Sequence, residues 1–163
     1  MEQLFNQLSE ILLKSLDADE HMKVSIDGEN SQFVRFSQSK VRQAGLVDDA
    51  SLSISLIKNG KTCSGSFTLT GNSKADEKTA CRELVRMREE VISLPKDPFV
   101  VLPEDTGSSR ENHRGSLLNQ EDVVPSLSPA MKGVDLAGIW ASGRIFTGNA
   151  NSAGQRHWFS TDT

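Results

Sequence analysis

The chain has 163 residues, enough to bury a core without a disulfide or metal staple. Its 22 acidic and 18 basic residues give a formal net charge of −4, which excludes the basic footprint of direct nucleic-acid binding. No apolar run approaches the roughly 20 residues of a membrane span, and the acidic N-terminus lacks the basic and apolar regions of a secretory signal.

Residues 3–17 read as an amphipathic helix. Leu4, Leu8, Ile11, Leu12 and Leu16 recur at helical spacing and form one stripe suited to packing on a sheet. From residue 22 the period changes to two. Met22, Val24 and Ile26 alternate with polar residues, and Asp27-Gly28 offers a turn. Further strands are expected over 32–37 and 40–46.

The clearest local signal follows. Leu52, Ile54 and Leu56 alternate with Ser51, Ser53 and Ser55, and Asn59-Gly60 supplies the residues of a two-residue type I′ hairpin turn. Pairing Lys58 with Lys61 sets Leu56 opposite Cys63, Ile54 opposite Gly65 and Leu52 opposite Phe67. One face is then apolar and the other is hydroxyl-rich, with Ser53, Ser55 and Ser64 on it. Cys63 belongs to the core in this register.

Residues 73–93 read as a second helix. Ser73 to Asp76 resembles a capping box, Pro95 ends the run, and Glu83 and Arg86 form a surface ion pair. Cys81, Val85 and Ile92 are assigned beside Ala80, Leu84, Met87 and Val91 on its buried stripe. Residues 95–118 hold three of the five prolines and read as a linker or long loop. A short helix near Pro125 and a last turn at Pro129 precede glycine-punctuated strands over 133–162. The expected organisation is an α+β module over 1–94, the linker over 95–118, and a β-rich continuation over 119–163.

Chemistry is harder to find. No phosphate-binding, dinucleotide or nucleophile-elbow motif is present, and His21, His113 and His157 lie far apart without an HExxH or HExxxH pattern. Cys63 and Cys81 form no CxxC pair, so the default compartment is a reducing cytoplasm. Catalytic, cofactor-binding and metal-ligating residues are therefore assigned as none.

The informative stretch is residues 32–70. Arg35-Phe36-Ser37-Gln38-Ser39-Lys40-Val41 leads into the alternating hairpin, and Lys96 to Pro103 and Asn151-Ser152-Ala153-Gly154 follow in order. This succession resembles the N-terminal domain of the TldD/PmbA, or modulator-of-DNA-gyrase, family, with the PmbA/TldE branch the closer. The resemblance implies an α+β fold with a mostly antiparallel sheet and two main helices on one face. It also implies a longer parent protein, a subunit of a zinc metallopeptidase complex acting on unfolded peptides.

In that family the HExxxH helix lies beyond the segment matched here. Zinc is thus expected only in a downstream domain or a TldD-type partner, and the chain is not expected to be catalytic alone. A homo- or hetero-dimer with a TldD/PmbA-type subunit is the implied assembly. Ser53, Ser55 and Ser64 are the expected peptide or partner surface. The alternative is a free-standing binding module of the same fold. A third reading is an enzyme using His113 or His157.

Overall fold

The computed structural model describes residues 1–163. It has α1 (Glu2–Lys14), β1 (Glu20–Ser37), β2 (Lys40–Lys58), β3 (Lys61–Thr68), α2 (Ser73–Ser93) and β4 (Ser109–His113). A helix α3 (Gln120–Leu127), a 3-10 turn (Ser128–Met131), β5 (Gly138–Asn151) and β6 (Arg156–Asp162) complete it. The fold class is α+β, as expected. The strands form a six-stranded sheet in the order β3-β2-β1-β5-β6-β4.

Antiparallel pairing dominates, and tight turns explain it. Gln38 and Ser39 join β1 to β2 with φ of 52° and 53°, and Asn59 and Gly60 join β2 to β3 with φ of 53° and 71°. Positive φ at both central residues is the type I′ geometry that matches strand twist. The β2–β3 register pairs Lys58 with Lys61, Leu56 with Cys63, Ile54 with Gly65 and Leu52 with Phe67, as read from the sequence. Ser152 N–H donates to the Met22 carbonyl, and Ile26 lies beside Gly148, so β5 runs antiparallel to β1. Edge strand β4 runs parallel to β6, with Ser108 beside Arg156 and Ser109 beside His157.

The chain separates into two compact units. The first comprises Met1–Asp27, Ala50–Glu111 and Thr147–Phe159. Its core forms where α1 and α2 cover one sheet face. Phe5, Leu8 and Leu12 of α1, and Ala80, Leu84, Met87 and Val91 of α2, pack over Met22, Val24, Ile26, Leu52, Ile54 and Leu56. Each fully buried aliphatic side chain contributes about 1.5–3 kcal/mol of burial free energy. Phe5 and Trp158 meet with ring centroids 6.1 Å apart. The α1 stripe is centred on Phe5 rather than Leu4, a rotation of one residue.

The second unit comprises Gly28–Asp49, Asn112–Phe146 and Ser160–Thr163. Its core is small: Val34, Phe36 and Val123 are buried, with Val124, Leu127, Met131 and Trp140 packed against them. Pro125 lies inside α3 and Pro129 opens the 3-10 turn.

Other sequence expectations change as well. Asp27-Gly28 makes no turn, because β1 is one strand of 18 residues. Gly28 serves close approach instead: a Cβ there would lie 2.5 Å from both the Asp49 carbonyl oxygen and Phe146 Cζ. Residues 109–113, within the expected linker, form β4, whose side chains are all exposed and therefore show no alternation. Cys81 is exposed, as are Val85 and Ile92. The buried stripe of α2 is the narrow set Asp76, Ala80, Leu84, Met87 and Val91.

Candidate functional site

The hydroxyl-rich face follows from the alternation that builds the core. Once Leu52, Ile54 and Leu56 turn toward the helices, their neighbours on β2 must face the other way. The register places Ser53 opposite Ser66 and Ser55 opposite Ser64. These side chains, joined by Lys23 and Ser25 of β1, line an open concavity of about 390 Å³. The three expected residues Ser53, Ser55 and Ser64 thus lie together. Ser64 Oγ donates to Ser55 Oγ at 3.3 Å.

A second concavity, of about 660 Å³, adjoins the first. It shares Lys23 and Ser55 with it and continues past Asn149 of β5 to His157 of β6. Its other wall is a strap formed by residues 101–106, which contributes Val101, Leu102 and Glu104. Hydrogen bonds hold the chain just before the strap and the strap's own second half. Asp97 N–H donates to the Gly60 carbonyl at 2.8 Å, and Asn151 Nδ2 donates to the Glu104 carbonyl at 3.3 Å. Gln155 Nε2 also donates to Thr106 Oγ1 at 2.5 Å. His157 Nδ1 is hydrogen-bonded to Ser109 Oγ at 2.8 Å, which fixes the ring.

Sequence reasoning missed Lys23, Asn149 and the strap. Neither the order of strands nor the path of residues 101–106 over them has a local signature.

Charge elsewhere in this unit serves anchoring. Glu20 is 4% exposed and accepts from Arg88 Nη2 at 2.6 Å, from Lys58 Nζ at 3.1 Å and from the Asp17 N–H at 3.0 Å. Burial opposes its ionisation, but the hydrogen bonds from Arg88, Asp17 and Lys58 outweigh burial and hold its carboxyl at about 2. Arg88 also donates to the Ser15 carbonyl at 2.7 Å, joining the end of α1, the start of β1 and the middle of α2. Burial pushes the Cys63 thiol up, away from the thiolate that nucleophilic chemistry needs.

No group of three or more His, Cys, Asp or Glu side chains converges closely enough to hold a metal ion. No helix is long and apolar enough to cross a membrane.

No family model matches the sequence. No curated protein matches it either. Solved structures do. TldE from Thermococcus kodakarensis superposes with a TM-score of 0.70 at 12% identity over 98% of this chain. A candidate modulator of DNA gyrase from Thermotoga maritima gives 0.60 at 13% identity over 99%. A second such protein, from Bacteroides thetaiotaomicron, gives 0.59 at 17% identity over 98%. The chain spans 37%, 37% and 38% of those proteins, respectively. It therefore has the fold shared by TldE and these gyrase-modulator proteins, the fold that the TldD/PmbA resemblance implied.

Proposed function

We propose that this chain is an assembly and substrate-chamber domain of a TldD/PmbA-type peptidase subunit that acts on unfolded peptides, and that it does not hydrolyse peptides by itself. The observation that carries this reading is the continuous polar face of Ser53, Ser55, Ser64 and Ser66, behind which Leu52, Ile54 and Leu56 are buried in the core of the first unit. Hydroxyls both donate and accept, so they satisfy the backbone of an extended chain without demanding a particular sequence. Edge strand β3 ends the sheet order beside this face, and an edge strand pairs with extended peptides by β-augmentation.

In this reading the metal chemistry resides in a downstream domain or in a TldD-type partner, in a homo- or hetero-dimeric assembly. The cytoplasm is its compartment.

The test replaces Ser53, Ser55 and Ser64 together with Lys. The triple variant retains the helix-facing core, so its circular dichroism spectrum is expected to match wild type. Its affinity for an unfolded, acetylated and amidated polypeptide is expected to fall at least about tenfold, since crowding three ammonium groups into one groove displaces the neutral chain. Unchanged binding and unchanged assembly with a TldD-type subunit would remove the proposal.

A further inference from the structure

The two concavities meet at Lys23 and Ser55, and Lys23 stands on β1, between β2 and β5 in the sheet order. The path from Ser64 on β3 through Ser55, Lys23 and Asn149 to His157 on β6 crosses five adjacent strands. At about 4.8 Å between neighbours, its length is about 19 Å, room for about six extended residues. A chain along this path lies across the strands. It meets side chains, not a free backbone edge, so its recognition is distinct from β-augmentation at β3.

We propose that this groove binds an extended peptide segment with an acidic side chain in its interior, and that Lys23 takes the carboxylate. The proposal rests on the reading of the hydroxyl face as a peptide surface and adds a specificity to it. Three observations support it. Lys23 is exposed and has no acidic side chain within 4.0 Å, whereas Lys58 on the neighbouring strand holds Glu20 at 3.1 Å. The cation lies in the middle of the path, with about 390 Å³ on one side and about 660 Å³ on the other. A chain terminus would need space on one side only, whereas an internal residue needs it on both. Asp27 on the same strand already accepts from Thr147 Oγ1 at 2.9 Å, and Glu104 on the strap lines the second concavity, where it repels an acid shifted in that direction. Lys supplies a compact charge with three rotatable donors, which suits a carboxylate approaching in more than one orientation.

The experiment measures fluorescence anisotropy with the 163-residue chain and labelled octapeptides built from Gly, Ala, Ser and Thr. The first two peptides are blocked at both ends and carry a central Glu or a central Gln. A third carries central Gln with a free C-terminal carboxylate. The Glu peptide is expected to bind about fivefold tighter than the blocked Gln peptide, the upper range for a solvent-exposed ion pair. Lys23→Met is expected to abolish that preference, and Lys23→Arg to retain it. Lys23 is exposed, so neither substitution threatens the fold.

Equal binding of the Glu and Gln peptides overturns the Lys23 assignment while leaving the peptide surface intact. A preference that survives in Lys23→Met, or one that follows only the free C-terminus, overturns it as well. Failure of all three peptides to bind overturns both the assignment and the peptide surface.

Discussion

Replacing Glu20 with Gln tests how unit 1 is held together. The Glu20 carboxylate is buried at the start of β1 and receives hydrogen bonds from α2 through Arg88 and from β2 through Lys58. Its carboxyl sits at about 2 in the folded protein against an ordinary 4.5. A depressed folded value means that stability is complete above the ordinary value and is lost as pH falls through the folded one. The window is therefore about pH 4.5 down to about 2. At about 1.4 kcal/mol for each pH unit, that separation corresponds to about 3 kcal/mol at neutral pH.

Arg88 and Lys58 remain partly solvated and can rehydrate in the variant. This keeps the loss near the low end of the roughly 3–5 kcal/mol seen when one partner of a buried pair is removed. Urea denaturation of wild type and Glu20→Gln, repeated from pH 7 to pH 2, measures it. The two stabilities are expected to differ by about 3 kcal/mol at pH 7 and to converge by pH 2. Two curves that stay parallel across that range would refute this anchoring role.

Three other outcomes follow from local geometry. Asn72 Oδ1 accepts the Ala75 N–H at 3.1 Å as the cap of α2, so Asn72→Ala is expected to cost about 1 kcal/mol in thermal or urea unfolding. Gly28→Ala places a Cβ 2.5 Å from the Asp49 carbonyl and the Phe146 ring, and overpacking of this kind costs about 1–3 kcal/mol. Combining it with Phe146→Leu is expected to recover part of the loss, and no recovery would count against that contact. Cys81 is exposed and Cys63 buried, so a thiol reagent is expected to titrate one cysteine in the native protein and two in denaturant. Tryptic mapping should place the native label on Cys81.

The parts of the fold legible in the sequence were those governed by near neighbours. Asn59-Gly60 fixed a turn type, and the turn fixed every pair from Lys58–Lys61 to Ser51–Thr68. The same alternation placed Ser53, Ser55 and Ser64 on one face. The α2 boundaries were legible from Pro95 and the polar residues before it, but the cap fell one residue earlier than expected. Asn72 caps the helix, and the carboxylate of Asp76 instead accepts from the Thr70 N–H at 2.9 Å and from its hydroxyl at 2.8 Å.

What stayed illegible depended on distant partners. Gly28 resembles a turn residue until Phe146 is known to lie against it. Strand β4 has no apolar residue to alternate, and it pairs only because β6 offers an edge. Lys23 acquires meaning only when β1 is placed between β2 and β5.

Chemical-shift mapping by NMR tests the peptide-surface claim most directly. The isotope-labelled chain is titrated with an unfolded, blocked polypeptide, and the same mixture is followed for cleavage. Shifts are expected at Lys23, Ser53, Ser55, Ser64 and Ser66, with none at Leu8, Leu84 or Met87 on the helix-covered side and no cleavage products. An unperturbed serine face, or hydrolysis by the chain alone, would contradict the assignment of this domain as a non-catalytic peptide surface.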